Sequence, residues 1–488
     1  MNDSSHPSSF IPYPSYKDSG VQWLGEVPKH WEMRKLRTIL TPIAERNRPD
    51  LPLLSVVREK GVIERNVRDD SENHNYIPDD LSNYKVVKSG QFAMNKMKAW
   101  QGSYGISKFN GIVSPAYFVF DLKYIEPDFF HKAVRSRAYV PFFTQASDGV
   151  RVGQWDLSQT RMKEITFFIP SHQEQTAIAR FLDYKTAQIA SFIKAKKRMI
   201  ELLKEQKQVI INDAVTGKIV IKDEGGRLKA EKRPDSSFIP HPSSFLQTVP
   251  EGWEVRPIKQ IVFFNPSKTE TGFSSKSSEN VVFLPMENVS VDGRINCSIK
   301  KPYKDVCNGF SYFKKGDVVI AKITPCFENG KGAYLDELET ECGFGTTEFI
   351  TIRPSSKIDG RLLRFILSSN WFLKIGEKYM TGSAGQKRIS SDFIKNFQLG
   401  IPSLEEQAQI VSYIEHKTAA IGKAISRTER EIALIQEYRT RLVSDVVTGK
   451  VDVRDIKIPD IADIDDTIDE SIDEPEGKEE LETAEAEE

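Results

Sequence analysis

The sequence predicts an α+β fold in which two mixed α/β regions are separated by two long helices, packed as an antiparallel coiled coil. Three observations lead to this prediction. A segment of the chain occurs twice, each copy has the apolar period of a long helix, and short alternating strands fill the regions between the copies.

The repeat is the clearest feature of the chain. Residues 169–219 and 401–451 align without gaps at an offset of 232, with about twenty identical positions. A shorter match upstream places Trp31 opposite Trp253. The regions between the matched segments are much less alike, so an almost unchanged frame carries two divergent inserts.

Each copy of the repeat has the local signals of one helix. Ser171 and Ser403 are good N-caps, and a Glu three residues later predicts a capping box in both copies. The glycine of each Val-Thr-Gly-Lys sequence, Gly217 and Gly449, predicts the helix end. Each helix is then about 43 residues, or roughly 65 Å, long.

A helix of that length needs a partner, and an apolar seam runs along both copies. The seam residues are Ile178, Leu182, Ile189, Phe192, Met199, Leu203 and Ile210 in the first helix, and Ile410, Ile414, Ile421, Ala424, Ile435, Tyr438 and Leu442 in the second. We expect the two helices to pair with each other. The alternative is that each helix folds back on its own insert.

The inserts have the alternating pattern of short strands divided by Gly, Asn and Asp turns. We expect strands in 51–57, 92–97, 116–122, 281–286, 317–323 and 348–354, and short helices at 127–138 and 361–376. The predicted domains are an N-terminal segment 1–26, a first insert 27–168, helix 169–221, linker 222–248, a second insert 249–400, helix 401–453 and a disordered acidic tail 454–488.

The net charge of −1 hides an uneven distribution. Residues 459–488 contain fifteen acidic residues and one lysine, which leaves 67 basic and 54 acidic residues in 1–458, a formal charge of +13. A basic body suits a polyanionic partner. The chain contains no apolar run long enough to span a membrane and no secretory signal, and its four cysteines form no CxxC pair. We therefore expect a reduced, cytoplasmic protein without a metal site.

Motifs for catalysis are missing from the sequence. There is no phosphate-binding loop, dinucleotide-binding loop, zinc-protease motif or nucleophile elbow. Asn265-Pro266-Ser267 is similar to a methyltransferase motif, but it lacks the second proline and the aromatic residue, so a turn is the better interpretation. We predict no catalytic residue.

These features together resemble the specificity subunits of type I restriction–modification systems. The resemblance covers about residues 16–453. It is carried by Trp23, Leu24, Gly25, Pro28 and Trp31 near the start, by Pro170, Glu174, Gln175 and Ile178 with their counterparts Pro402, Glu406, Gln407 and Ile410, and by both Val-Thr-Gly-Lys ends.

The resemblance implies a function without chemistry in this chain. Each insert would be a target recognition domain that recognises one half of an asymmetric, bipartite site in double-stranded DNA. The helices would set the spacer between the halves and dock two methyltransferase subunits, with motor–nuclease subunits completing the complex. S-adenosylmethionine, Mg²⁺ and ATP would bind the partner subunits. The competing hypothesis is a helical scaffold that binds protein partners without specific DNA recognition.

Polar residues on Gly-rich loops are the candidates for DNA contacts, because base edges and phosphates require side-chain donors and acceptors. In the first insert the candidates are Lys96, Lys98, Gln101, Ser103, Tyr104, Arg151 and Gln154. In the second they are Lys322, Thr324, Asn329, Lys331, Ser383, Gln386, Lys387 and Arg388. We expect Trp100 and Trp155 to pack rather than bind, Trp31 and Trp253 to anchor the start of each domain, and Glu174, Gln175, Glu406 and Gln407 to cap the helices.

Overall fold

The computed structural model describes residues 11–65, 78, 80–149, 155–225, 228–243, 245–383 and 385–459. The chain forms two compact units. Unit 1 combines the residues up to Lys197 with those from Arg430 onward, and unit 2 comprises Arg198–Glu429. Each unit therefore contains one insert, the first part of one long helix and the last part of the other.

The two long helices have the predicted extent. They span His172–Val215 and Leu404–Val447, with 44 residues each. Ser171 Oγ accepts a hydrogen bond from the Glu174 amide at 3.4 Å, and Ser403 Oγ accepts one from the Glu406 amide at 3.2 Å. After each helix the chain turns at a glycine with positive φ, +69° at Gly217 and +76° at Gly449, as predicted.

Within unit 1 the two helix segments run antiparallel. Lys196 Nζ of the first helix lies 2.8 Å from Glu431 Oε2 of the second helix. At the other end of the unit, Trp31 donates a hydrogen bond to Glu174, near the start of the first helix, and packs against Gly449, just after the end of the second. In unit 2, Trp253 joins the start of the second helix to Gly217 in the same way. The predicted seam is only partly buried, because Phe192, Met199 and Tyr438 are 45%, 44% and 44% exposed.

The divergent inserts contain the same central sheet. Each has four antiparallel strands, and the order in space corresponds between the units. In unit 1 the order is Leu40–Ile43, Phe118–Leu122, Phe92–Met94, Tyr104–Ile106. In unit 2 it is Val262–Phe264, Phe349–Pro354, Val318–Ala321, Gly332–Tyr334. The duplication therefore extends into the regions whose sequences have diverged.

Shorter strand pairs occur outside these sheets. In unit 1, Tyr16–Asp18 pairs with Glu26–Pro28, Glu32–Lys35 with Thr166–Ile169, Leu54–Val57 with Gly61–Glu64, Lys85–Val87 with Gly111–Val113, and Ser147–Asp148 with Asp156–Leu157. In unit 2, Ile219–Asp223 pairs with Leu228–Lys232, Phe238–Pro240 with Thr248–Pro250, and Glu254–Pro257 with Gln398–Ile401. Unit 2 also has a second four-stranded sheet, ordered Lys300–Pro302, Asn280–Leu284, Cys342–Gly345, Ser311–Lys314.

Short helices accompany the sheets in both units. They are Leu36–Ile39, Pro127–Val134, Val140–Gln145 and Gln159–Lys163 in unit 1, and Tyr303–Val306, Gly360–Leu367, Asn370–Glu377 and Ser391–Asn396 in unit 2. Short 3-10 turns occupy Ala99–Gln101, Asp235–Ser237, Ile258–Gln260, Lys268–Thr271 and Met286–Asn288.

One sequence-based expectation needs correction, and the predicted linker gains detail. The single helix predicted at 361–376 is interrupted, because Ser369 accepts a hydrogen bond from the Phe372 amide and starts a new helix. The predicted linker 222–248 contains part of the hairpin formed by Ile219–Asp223 and Leu228–Lys232. Most of the acidic tail, residues 460–488, lies outside the described residues.

Each unit has a core that the long helices help to form. In unit 1, Ile178, Phe181 and Leu182 are buried in one cluster with Leu442 and Val446. In unit 2, Ile211, Ala214 and Val215 are buried with Ile410 and Ile414. The mixed α+β fold with two long helices is confirmed.

Candidate nucleic-acid interface

The candidate loop of unit 1 follows the central strand Phe92–Met94. Lys98 is exposed, whereas Lys96 and Gln101 are half-buried. Lys96 Nζ lies 2.8 Å from Asp156 Oδ2, and the Lys96 carbonyl accepts a hydrogen bond from the Leu157 amide at 3.0 Å. The two polar segments that the sequence identified separately in this insert therefore touch.

Two candidates in this loop are interior residues. Ser103 and Tyr104 are 1% and 0% exposed. The Tyr104 hydroxyl donates to the Val134 carbonyl at 3.2 Å, its ring packs 4.5 Å from that of Phe143, and burial raises its pKa. Neither side chain offers a surface that DNA could touch, so we remove both from the candidate set. Tyr104 begins the strand Tyr104–Ile106, in which all three residues are buried.

Two further candidates, Arg151 and Gln154, lie outside the described residues. Earlier and later in the chain, Ser147–Asp148 and Asp156–Leu157 form an antiparallel pair in which Asp148 faces Asp156. Beside that pair, the rings of Trp100 and Trp155 pack at a centroid distance of 5.2 Å. The expected packing of these two tryptophans is confirmed.

In unit 2 the two candidate loops lie side by side. The Thr324 hydroxyl donates to the Gly385 carbonyl at 2.9 Å and accepts from the Lys387 amide at 3.1 Å. The Ile389 amide donates to the Lys322 carbonyl at 2.9 Å. Thr324 is half-buried, and its hydroxyl connects the two loops through these two hydrogen bonds. The hydroxyl is therefore used within the protein.

The remaining candidates of unit 2 extend from these ordered turns. Asn329, Ser383, Gln386 and Lys387 are exposed, and Lys331 is half-buried. Their main chains are fixed by local hydrogen bonds, such as Gln386 to Ser383 at 3.0 Å and Asn329 to Pro325 at 3.1 Å. Ordered backbone with free polar side chains is the arrangement that groove and phosphate contacts require.

Arg388 has a partner that sequence reasoning missed. Its Nε and Nη2 lie 3.0 and 2.8 Å from the two carboxylate oxygens of Glu348. The Arg388 guanidinium holds the pKa of Glu348 below its usual range. Glu348 directly precedes the central strand Phe349–Pro354. In unit 1, sequence reasoning also missed Asp156, whose carboxylate pairs with Lys96. Each carboxylate reaches its basic partner from a distant part of the sequence, so no local pattern indicates either pair.

The loops of both units are built on one backbone scheme. The hydrogen bond from Leu157 to Lys96 in unit 1 corresponds to that from Ile389 to Lys322 in unit 2. In both units a serine N-cap follows, Ser158 before Gln159–Lys163 and Ser390 before Ser391–Asn396. The residue before the shared amide differs in charge, Asp156 in one unit and Arg388 in the other.

The glutamates of the repeated motif join the long helices to the start of each domain. Glu174 accepts hydrogen bonds from Trp31 Nε1 and from His30 Nε2, both at 2.9 Å. Glu406 accepts from Trp253 Nε1 at 3.1 Å and from Arg233 Nη2 at 3.0 Å. The expected anchoring role of the two tryptophans is confirmed. The expected capping box is only half formed, because these carboxylates bind side chains instead of the N-cap amide.

The adjacent glutamines connect the helices to the inserts. Gln175 accepts from the Glu126 amide at 2.7 Å and donates to the Pro170 carbonyl at 2.9 Å. Gln407 repeats both contacts, with the Asp359 amide at 2.8 Å and the Pro402 carbonyl at 3.0 Å. Both amides are buried. Each glutamine thus ties its helix to the first turn of a short insert helix, a tertiary role rather than the predicted capping.

Within the described ranges, no group of three or more His, Cys, Asp or Glu side chains is placed to hold a metal ion. None of the helices in that part of the chain is long and apolar enough to cross a membrane.

Comparisons with known proteins agree with the resemblance stated above. Residues 250–428 match the family model of the type I restriction modification DNA specificity domain. The EcoAI specificity subunit of Escherichia coli is 37% identical over 235 residues, which are 43% of this chain and 38% of that protein. The EcoEI specificity subunit of the same species is 34% identical over 230 residues, with the same coverage. The chain thus spans under two fifths of the length of these relatives.

A solved structure from work on the complex assembly and conformational transition of the type I R-M system covers 87% of this chain and 99% of its own, with a TM-score of 0.55 at 14% identity. That likeness concerns the fold alone. The predicted resemblance is confirmed: the chain is similar to the specificity subunits of type I restriction–modification systems, and its residues 250–428 match the DNA specificity domain of that family.

Proposed function

We propose that this protein is the sequence-specific DNA-recognition subunit of a type I restriction–modification complex. The insert of each unit recognises one half of an asymmetric, bipartite site in double-stranded DNA. The protein itself carries out no chemistry. It acts in the cytoplasm, where the DNA and its partner subunits are found.

One observation carries the proposal. The two inserts share a four-stranded sheet of the same order and the same loop-to-loop hydrogen bond, yet the exposed side chains at that place differ. A shared backbone with different donors and acceptors is what two half-sites of different sequence require, because base edges are distinguished by their hydrogen-bonding patterns. The match of unit 2 residues to a DNA specificity domain supports DNA as the ligand.

The long helices set the spacer between the half-sites. Each helix has residues in both units, so the helix segments are the part of the chain through which the two inserts are connected. The same helices dock two methyltransferase subunits, and motor–nuclease subunits complete the restriction complex. S-adenosylmethionine, Mg²⁺ and ATP bind those partners.

Methylome sequencing tests this proposal. The full chain is expressed with the methyltransferase subunit of its own system in a host that lacks other methylation. The expected result is one methylated motif of two short blocks with a fixed gap. Methylation without such a motif, or no binding of a methyltransferase–chain complex to any DNA above its nonspecific level, would favour the scaffold hypothesis.

A second experiment addresses the spacer. Insertion of about seven helical residues after both Lys197 and Glu429 lengthens each helix by roughly 10 Å at 1.5 Å per residue. We expect the gap to grow by about three base pairs, at 3.4 Å per step, with both blocks unchanged. A change of bases within a block would contradict the role of the helices as a spacer.

A further inference from the structure

Arg388 and Glu348 form a pair whose backbone is fixed on both sides. Arg388 exchanges two main-chain hydrogen bonds with Thr381, at 2.8 and 3.0 Å. The Glu348 carbonyl accepts from the Lys322 amide at 2.9 Å. The pair therefore lies where the two candidate loops of unit 2 meet, on main chain held by hydrogen bonds at both residues.

The geometry of the ion pair determines which edge of the guanidinium remains available. Glu348 occupies Nε and one N–H of Nη2. A guanidinium has five N–H donors, so the edge formed by Nη1 and Nη2 keeps a parallel pair of donors. Arg388 is exposed, with 44% of its side chain accessible, whereas only 24% of the Glu348 side chain is accessible. The carboxylate lies behind the arginine.

We propose that Arg388 recognises a guanine in the half-site of unit 2, and that Glu348 is a positioning residue that aims its guanidinium. The free edge matches the O6 and N7 acceptors of guanine in the major groove, which arginine contacts in bidentate fashion. A carboxylate that fixes the guanidinium plane reduces the freedom lost on binding. This inference rests on the proposed function and adds a residue and a base to it.

The corresponding position of unit 1 supports a role in specificity. Asp156 precedes the same shared hydrogen bond and is paired with Lys96, so an acceptor replaces a donor there. The position is therefore not a phosphate contact common to the two units, because an aspartate repels the phosphate backbone that both half-sites share. Opposite charges at one backbone position instead fit two half-sites with different bases.

The test is selection of bound duplexes from a random pool by the full chain in complex with its methyltransferase subunit, followed by sequencing. Three variants are compared with the wild type: Arg388→Ala, Arg388→Lys, which keeps the charge but loses the bidentate fork, and Glu348→Gln. Circular dichroism melting curves verify that each variant is folded. The block of unit 1 serves as an internal control in every selection.

We expect Arg388→Ala and Arg388→Lys to lose about 5- to 150-fold of the preference for guanine at one position in one block. Glu348→Gln should weaken the preference at that same position, which a purely structural role would not single out. The other block and the gap should remain unchanged.

Retention of every base preference in the arginine variants, or a uniform fall in affinity with an unchanged motif, would overturn the assignment while leaving the proposed function intact. If Arg388→Ala abolishes binding, the lysine variant decides between these outcomes. Absence of a bipartite motif for the wild type would instead overturn the proposed function.

Discussion

The carboxylate of Glu174 accepts a hydrogen bond from the indole nitrogen of Trp31 at 2.9 Å, and both side chains are almost completely buried. Trp31 also packs against Gly449, so one residue joins the start of the domain, the start of the first long helix and the end of the second. Trp253, Glu406 and Gly217 form the same joint in unit 2. The repeated sequence is thus the signature of a joint rather than of helices alone.

The first prediction concerns the buried carboxylate of this joint. Glu174→Ala leaves the Trp31 indole and His30 without their shared acceptor, and a hydrogen bond to a charged group contributes about 1.5–3 kcal/mol. We expect a loss of that size in unit 1. The matched variant is Glu406→Ala, which should cost less because 31% of the Glu406 side chain is exposed and water can replace it.

Hydrogen-exchange mass spectrometry measures the local stability of each unit in both variants. Peptides from unit 1 and from unit 2 report the opening of their own unit separately. Faster exchange in unit 1 for Glu174→Ala and a smaller effect in unit 2 for Glu406→Ala is the expected pattern. Equal effects in the two units would contradict the importance of burial.

The second prediction concerns the glycines at the helix ends. In Gly449→Ala the new Cβ overlaps Pro28, and the backbone has a φ of +76°. The left-handed conformation alone costs about 1–2 kcal/mol for other residues, and the overlap adds to it, so we expect a loss of at least about 2 kcal/mol. Gly217→Ala, with a φ of +69° and an overlap with Pro250, should behave alike.

Gly422→Ala is the control for these substitutions. Gly422 lies inside the second long helix, and a Cβ there meets nothing within 4 Å. The same chemical change should therefore stabilise the protein by about 0.5–1 kcal/mol. Urea unfolding of the full chain gives all three values. If Gly422→Ala instead lowers the free energy of unfolding, the added Cβ must meet other atoms at this surface of the helix.

The helices and the joint could be predicted from sequence to different degrees. Ser171, Ser403 and the two Val-Thr-Gly-Lys ends are local signals, and the helix limits they predicted are nearly those observed. The partners of Glu174 and Gln175 could not be predicted, because Trp31 and the Glu126 amide are distant in sequence. A capping box is a local rule, and here tertiary contacts replaced one half of it.

In the candidate site, too, local features could be predicted from the sequence and tertiary contacts could not. Matching loops were found because both copies contain lysine and glycine after a strand, and the structure brings the loops of each insert together. Tyr104 was misassigned because polar groups within a Gly-rich stretch hid a short buried strand. Glu348 was missed because it reaches Arg388 through a pairing between segments forty residues apart.

The third prediction concerns pH. Burial, with Arg135 and Lys132 nearby, lowers the pKa of His131 from 6.5 to about 3, and its Nδ1 accepts a hydrogen bond from the Ile106 amide at 3.0 Å. The unfolded chain binds a proton at this residue below pH 6.5, whereas the folded chain stays neutral. The contribution of neutral His131 to the free energy of unfolding is complete above pH 6.5 and is lost as the pH falls toward 3.

Between pH 7 and pH 5 the expected loss is about 1–2 kcal/mol. His131→Gln removes the titration and should flatten the dependence of the unfolding free energy on pH over this range, even if it lowers stability at pH 7. Urea unfolding at a series of pH values provides the comparison. The same slope in the wild type and the variant would mean that other groups account for it.

The last prediction separates phosphate contact from base recognition. Lys387 is exposed on the loop that Thr324 orders, next to Arg388. A lysine that neutralises one phosphate releases counterions, so Lys387→Ala should weaken DNA binding for all sequences and reduce the slope of log affinity against log salt by about one. The selected motif should not change. Lys395→Ala is the control, because Lys395 pairs with Asp392 on the short helix Ser391–Asn396, outside the two loops. Fluorescence anisotropy at several salt concentrations measures both slopes, and an equal reduction for the two lysines would place the contact surface beyond the loops.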